Sequence, residues 1–133
     1  MGTQNELAKR YGPQTTQIEA LLDRVRNLTD EEAEALSDAV RFADPDFWGA
    51  WNATQIAAWD AARTAGRDAA RDAAWVAAWN AAGDAAWEAI WDAVQALLVR
   101  DLVGQHGFTQ EHYDTLVALW ESVMGTEWTR ETL

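Results

Sequence analysis

The chain has 133 residues, no cysteine and a formal net charge of −12 at pH 7. This length suits one domain with its own apolar core, and the lack of cysteine excludes disulfides and thiolate zinc sites. The negative charge repels nucleic-acid phosphates and anionic lipid surfaces, and no run of about 18 apolar residues could span a membrane. We therefore expect a single cytoplasmic domain over residues 1–133 that binds neither nucleic acid nor membrane directly.

The first third of the chain contains clear helix-start signals. Thr29 and Glu32 have the spacing of a capping box, in which each side chain binds the backbone N–H of the other residue. Asp44-Pro45 combines an N-cap residue with proline at the first helical position. Before these signals, apolar residues recur at helical spacing: Ile18, Leu21, Leu22, Val25 and Leu28. We predict helices in both places and a mobile segment over residues 1–14.

A further helix is predicted near the C-terminal end. Thr109 is its expected N-cap, Phe108 can pack on Tyr113 as a hydrophobic staple, and Gly125 supplies a left-handed stop. One continuous apolar stripe connects these signals: Tyr113, Leu116, Val117, Trp120, Val123 and Met124. Residues 126–133 are expected to fray. Since no segment shows the alternation typical of strands, the predicted fold is an all-α helical bundle.

A four-residue repeat fills the middle of the chain, as in DAARDAAWVAAWNAAGDAAWEAIWDA over residues 68–93. A bulky slot, occupied by tryptophan, arginine or glutamine, is followed by a mostly acidic or amide slot and then by two slots that are nearly all alanine. The frame does not slip from residue 51 to residue 95, and alanine has the highest helix propensity. We predict a long helical region over about 45–103 with a bend or break near Gly66. Gly83, which replaces a bulky residue, marks a notch or kink.

The repeat length is longer than one helical turn, so the bulky slot spirals by about 40° per repeat. On a straight helix, Trp51 and Trp87 would lie on one side. Arg63, Arg67 and Arg71 would lie on the other side. We therefore predict that the arginines face solvent or pair with the acidic cluster at residues 30–34.

The tryptophans allow two interpretations. They form the core of the chain's own bundle, or some of them are anchors for a partner, because aromatic side chains dominate binding hot spots. The second interpretation predicts a non-enzymatic interaction or assembly protein whose partner is another protein or a second copy of the chain. The predicted contact residues are Trp48, Trp51, Trp59, Trp75, Trp79, Trp87 and Trp91.

An alternative function rests on the acidic residues. Carboxylates spaced along helices can mimic nucleic acid and block a DNA-binding protein. Two rows are candidates for this role: Asp30, Glu31, Glu34 and Asp38 in one, and Asp84, Glu88 and Asp92 in the other.

Neither catalysis nor cofactor binding is predicted. His106 and His112, with Glu111 and Asp114 nearby, match no metal-ligand spacing, and the sequence contains no phosphate-binding loop or nucleophile motif. The sequence therefore predicts no catalytic residue, no cofactor and no metal.

The repeated Asp-Ala-Ala-Trp phrase and the segment LLVRDLVGQHGFTQEHYDTLVALWESVMG resemble a group of small alanine- and tryptophan-rich helical proteins of actinobacteria and their phages. The resemblance covers residues 51 to about 125. It implies a helical fold and an actinobacterial or phage context; in the phage context, the interaction protein would be phage-encoded and act on a host protein. It supplies no catalytic residues.

Overall fold

The computed structural model describes residues 10–82 and 86–126, and it is all-α as predicted. The described residues form six α-helices: α1 Thr15–Arg26, α2 Asp30–Arg41, α3 Pro45–Thr64, α4 Asp68–Ala82, α5 Trp87–Leu98 and α6 Gln110–Met124. Short 3-10 helices precede α1 and follow α5, at Gly12–Gln14 and Arg100–Leu102. These two ranges contain no strand, only an isolated bridge between Gln105 and Phe108.

The predicted caps set the ends of three helices. Thr29 and Glu32 form the capping box of α2, with both reciprocal hydrogen bonds present. Asp44 accepts a hydrogen bond from the backbone N–H of Asp46 at 2.8 Å, and Pro45 begins α3. Thr109 caps α6, where His112 takes the position of the usual acid. Short-range signals of this kind act within one turn, so they can be identified from the sequence alone.

The repeat region forms three helices rather than one or two. The predicted break at Gly66 is confirmed: Gly66 has φ +73°, and the N–H of Arg67 reaches back to the carbonyl of Ala62 at 2.8 Å. This pairing, together with the hydrogen bond from Gly66 N–H to Arg63, is a Schellman ending, which favours glycine at the left-handed position. A second break precedes Trp87, where Ala86 is left-handed with φ 52°. The notch predicted at Gly83 lies outside the described residues.

Helix α5 is the centre of the bundle. It contacts all five other α-helices, and every residue from Ala89 to Arg100 is buried. Aliphatic residues occupy several of its alanine slots, so most of its surface is apolar: Ile90, Val94, Leu97 and Leu98. A helix that is apolar all round is expected in the interior of a bundle.

The outer helices α3 and α4 pack inward through alanine. Ala58, Ala61 and Ala62 of α3 and Ala74 and Ala78 of α4 are all at most 1% exposed. Because a methyl group is small, backbones can approach closely along these faces. The alanine slots of the repeat are therefore the packing surface, and the opposite sides of α3 and α4 remain available for larger side chains.

The prediction that all three arginines face solvent or pair with the cluster at 30–34 is wrong. Arg63 is exposed and bonds to Asp60 of its own helix. Arg67 is only 14% exposed in its side chain and forms a two-pronged ion pair with Asp101, at 2.7 and 2.6 Å. Arg71 is half-buried. The prediction assumed one straight helix. The breaks at Gly66 and before Trp87 change the direction in which the bulky slot of the repeat points.

The N-terminal segment predicted to be mobile is packed in its described part. Tyr11 and Gln14 are buried, and Thr15 accepts a hydrogen bond from the backbone N–H of Tyr11 at 2.9 Å. Residues 1–9 of that segment, and residues 127–133 of the predicted fraying end, lie outside the described residues.

Candidate functional site

Helix α4 exposes its large residues to solvent. Trp75, Val76 and Trp79 are 44%, 52% and 41% exposed, and we call these three residues the tryptophan face. Their spacing places them on one side of the helix, one turn beyond the exposed Asp72. Large apolar side chains that stand together on a surface are a common mark of an interaction site.

The two exposed rings are held in place from behind. Trp75 and Trp79 are stacked with centroids 6.1 Å apart and planes 4° apart. Trp87 of α5 meets both of them edge-on, at 5.6 and 5.2 Å. Trp87 in turn stacks on Trp91 at 6.0 Å. Aromatic pairs of this geometry each contribute about 0.5–1.5 kcal/mol beyond area burial, so the tryptophan face is a rigid array rather than a set of free side chains.

The inner end of this array lies in the core. Trp91 is 8% exposed, and the guanidinium carbon of Arg71 lies 5.5 Å from its ring centroid. Burial lowers the pKa of Arg71, while the charges of Asp72 and Asp68 oppose that change. Arg71 is therefore turned towards Trp91 and supports the array from within.

A further exposed aromatic residue lies on α3. Trp59 is 41% exposed and has Ile56 beside it on the same face of the helix. The guanidinium carbon of Arg63 lies 4.7 Å from the Trp59 ring centroid, and Arg63 also contacts Asp60 at 3.5 Å. Trp59 is thus already covered in part by a cation of its own chain.

Trp48 and Trp51 pack towards the interior instead. They are half-buried and meet edge-on at 5.2 Å. The indole N–H of Trp51 donates to Asp92 at 2.7 Å, and the Gln55 amide donates to the other carboxylate oxygen at 2.9 Å. These bonds join α3 to the central helix.

Asp92 is the most perturbed titratable group in the described part of the chain. It is 1% exposed, and burial raises its pKa to about 7. The charge of Glu88 adds to the increase, while the hydrogen bonds from Trp51 and Gln55 oppose it. Its place in the interior also removes it from the second predicted acidic row, whose first member, Asp84, lies outside the described residues. That row is therefore wrong as an exposed surface.

The other acidic row does lie on the surface. Asp30, Glu31 and Glu34 are exposed on α2, and Asp38 is half-buried. Their neighbour Glu32 is paired with Arg24 of α1, and this hydrogen bond lowers the pKa of Glu32. One exposed row of carboxylates therefore remains.

The histidines have structural positions. The ring nitrogen Nδ1 of His112 accepts a hydrogen bond from the backbone N–H of Thr109, and the ring stacks on Phe108 at 5.9 Å. His106 lies in the turn before α6 with φ 53°. Within the ranges 10–82 and 86–126, no group of His, Cys, Asp or Glu side chains could hold a metal ion.

The seven predicted contact residues thus divide into three classes. Trp59, Trp75 and Trp79 are exposed, Trp48, Trp51 and Trp87 are half-buried, and Trp91 is buried. Sequence reasoning missed Ile56 and Val76. A signal for them existed, because both are aliphatic residues in the repeat slot that otherwise holds mostly Asp, Asn or Glu.

Comparisons of the chain with protein-family models, with curated proteins and with solved structures gave no match. None of the helices in the described ranges is both long enough and apolar enough to cross a membrane.

Proposed function

We propose that this chain is a non-enzymatic protein-binding module that docks its partner on the tryptophan face of α4. One observation carries the proposal: Trp75, Val76 and Trp79 are between 41% and 52% exposed on a single helix face, although the opposite face of the same helix buries Ala74 and Ala78 completely. Trp87 and Trp91 are the supporting part of the same array.

The rigidity of the face favours binding over a purely structural role. A ring that is already stacked loses little side-chain freedom when a partner covers it, and tryptophan is among the most frequent hot-spot residues. The aliphatic Val76 extends the apolar area in a repeat slot that is elsewhere mostly polar. An ordinary solvated helix face would carry Asp or Asn there, as at Asp72 and Asn80.

The partner is most simply another protein. Two copies of a chain with a net charge of −12 repel each other at low salt, which disfavours self-association. Because the chain resembles actinobacterial and phage proteins, we propose that its partner is a host protein. The absence of cysteine supports a cytoplasmic setting.

The nucleic-acid-mimic alternative has less support. Of its two predicted rows only the one on α2 is exposed, since Asp92 lies in the interior. Salt separates the two ideas, because a mimic loses affinity steeply as ionic strength rises and a tryptophan-anchored contact does not.

The test is affinity capture with three baits: the wild type, the double variant Trp75→Ala/Trp79→Ala, and Trp59→Ala. Trp59 is a matched control because it has the same residue type and the same 41% exposure as Trp79. We expect a partner that the wild type and Trp59→Ala retain and the double variant loses. Circular dichroism melts establish that each bait is folded. A folded double variant that retains everything the wild type retains would contradict the proposal.

A further inference from the structure

Carboxylates outnumber cations around the tryptophan face. Asp68 and Asp72 are exposed on the same helix, and the single cation of α4, Arg71, is turned towards Trp91. The chain as a whole is strongly acidic, so the long-range field at this face is also negative. A partner that covers the face therefore encounters carboxylates beside exposed rings.

A contact within the chain indicates which group can interact with an exposed ring and a neighbouring carboxylate at the same time. On α3, the ring of Trp59 and the carboxylate of Asp60 share one arginine, Arg63, which lies four residues after the tryptophan. A cation placed over an indole ring and beside a carboxylate gains from both contacts. On α4 the residue four after Trp75 is Trp79 rather than arginine. The α4 face therefore also places exposed indole rings near carboxylates, those of Asp72 and Asp68 on the preceding turns, but no arginine of its own lies over its exposed rings.

From this difference we infer that the tryptophan face binds a basic amphipathic segment of another protein. Arginine or lysine side chains of that segment stack on Trp75 and pair with Asp72 and Asp68. Its apolar side chains pack against Val76 and Trp79. The inference rests on the proposed function, and it adds the chemical class of the partner.

The experiment uses two synthetic amphipathic helical peptides with the same leucine positions. One carries arginine at every polar position and the other carries glutamate. Binding to the full chain is measured by titration calorimetry and tryptophan fluorescence. We expect the arginine peptide to bind and the glutamate peptide to fail. The variant Asp68→Asn/Asp72→Asn should weaken binding of the arginine peptide about tenfold, since two exposed charge contacts are lost.

A matched control separates local pairing from general attraction. The variant Asp30→Asn/Glu34→Gln removes the same number of charges from α2, where both residues are exposed. We expect it to change the affinity by less than about twofold, as is typical of distant screened charges. An equal loss in both charge variants would overturn the inference, because the attraction would then depend on net charge alone.

Three further outcomes would overturn the inference. If both peptides bind equally and Trp75→Ala/Trp79→Ala abolishes both, the face is a binding site without the proposed charge preference, and the proposed function stands. If sedimentation shows that a second copy occupies the face, the proposed function again stands in its self-assembling form. If the arginine peptide does not bind the wild type, the partner class is wrong, and the capture experiment decides the proposed function separately.

Discussion

Replacing the buried Asp92 by asparagine should change how the stability of the protein depends on pH. The carboxyl group is 1% exposed and has a pKa of about 7, against 3.8 for an unperturbed aspartate. Asparagine has nearly the same shape and accepts one of the two existing hydrogen bonds, from Trp51, through its oxygen. Its amide group can then donate to Gln55 if that side chain turns over. The substitution therefore removes the titration and leaves the packing in place.

The sign and size follow from the two pKa values. Below about pH 4 the carboxyl group is protonated in both the folded and the unfolded chain, and it has no effect on the pH dependence. Between about pH 4 and pH 7 the unfolded chain releases the proton and the folded chain keeps it, so the free energy of unfolding falls as pH rises. A difference of about three pH units at 1.36 kcal/mol each gives a loss of about 4 kcal/mol that is complete above pH 7.

Urea melts of the wild type and Asp92→Asn at several values between pH 4 and pH 8 would measure this effect. We expect similar stabilities near pH 4 and an advantage for Asp92→Asn that grows to several kcal/mol at pH 8. The pKa values of Glu32 and Asp101 are lowered by Arg24 and Arg67, so they act in the opposite sense, but both proteins share them and they cancel in the difference.

The exposed Asp72, in the same slot of the repeat, provides the control for this prediction. Asp72→Asn removes one carboxylate from an exposed position and so measures the effect of the substitution without burial. If the difference between Asp92→Asn and the wild type is no larger than that between Asp72→Asn and the wild type over this pH range, or if Asp92→Asn is less stable than the wild type at pH 8, the charge of Asp92 is tolerated in the core and the reasoning is wrong.

Three other predictions concern stability and are checked by denaturant melts. Arg67→Ala should cost about 2–3 kcal/mol, because it removes the two-pronged pair with Asp101 and leaves the Leu98 carbonyl without its donor, whereas the exposed Arg63→Ala should cost less than about 0.5 kcal/mol; equal costs would mean that these contacts of Arg67 contribute nothing. Ala74→Leu should cost about 1–3 kcal/mol by overpacking the inner face of α4, and the exposed Ala69→Leu almost nothing, so a neutral Ala74→Leu would show that α4 does not pack closely. Gly66→Ala should cost about 1–2 kcal/mol, since alanine is strained at φ +73°, and an unchanged midpoint would argue for a continuous helix.

The sequence predicts what is local in this fold. The capping box at Thr29, the N-cap at Asp44 and the stop at Gly125, which has φ +83°, each depend on one turn of chain, and the structure confirms them. The break at Gly66 is local in the same sense. The apolar stripe of α6 also follows from its own spacing, with Tyr113, Leu116, Val117 and Trp120 buried.

What the sequence could not predict depends on neighbours far along the chain. The same repeat gives half-exposed tryptophans in α4 and a helix α5 that is buried from Ala89 onwards, because α5 contacts all the other helices described. From the sequence alone, Asp92 is indistinguishable from the solvated acids in the same slot. In the structure, the indole N–H of Trp51, 41 positions earlier, donates a hydrogen bond to it. The exposure of Trp75 and Trp79 likewise depends on which side of α4 meets α1 and α5. The aliphatic residues of α5 were the available signal for its central place.

The position of the central helix late in the chain has a consequence for folding during synthesis. Helices α1 to α4 leave the ribosome before α5 and α6, and most of the surface on which they pack does not yet exist, although α1 and α4 can already contact each other. Alanine is well suited to an incomplete chain, because it forms helix with few tertiary contacts and presents little apolar area for aggregation. Once residues 87–98 emerge, the outer helices can close around them. We therefore expect the alanine-rich repeat to keep the incomplete chain helical and to limit its aggregation until α5 has been synthesised.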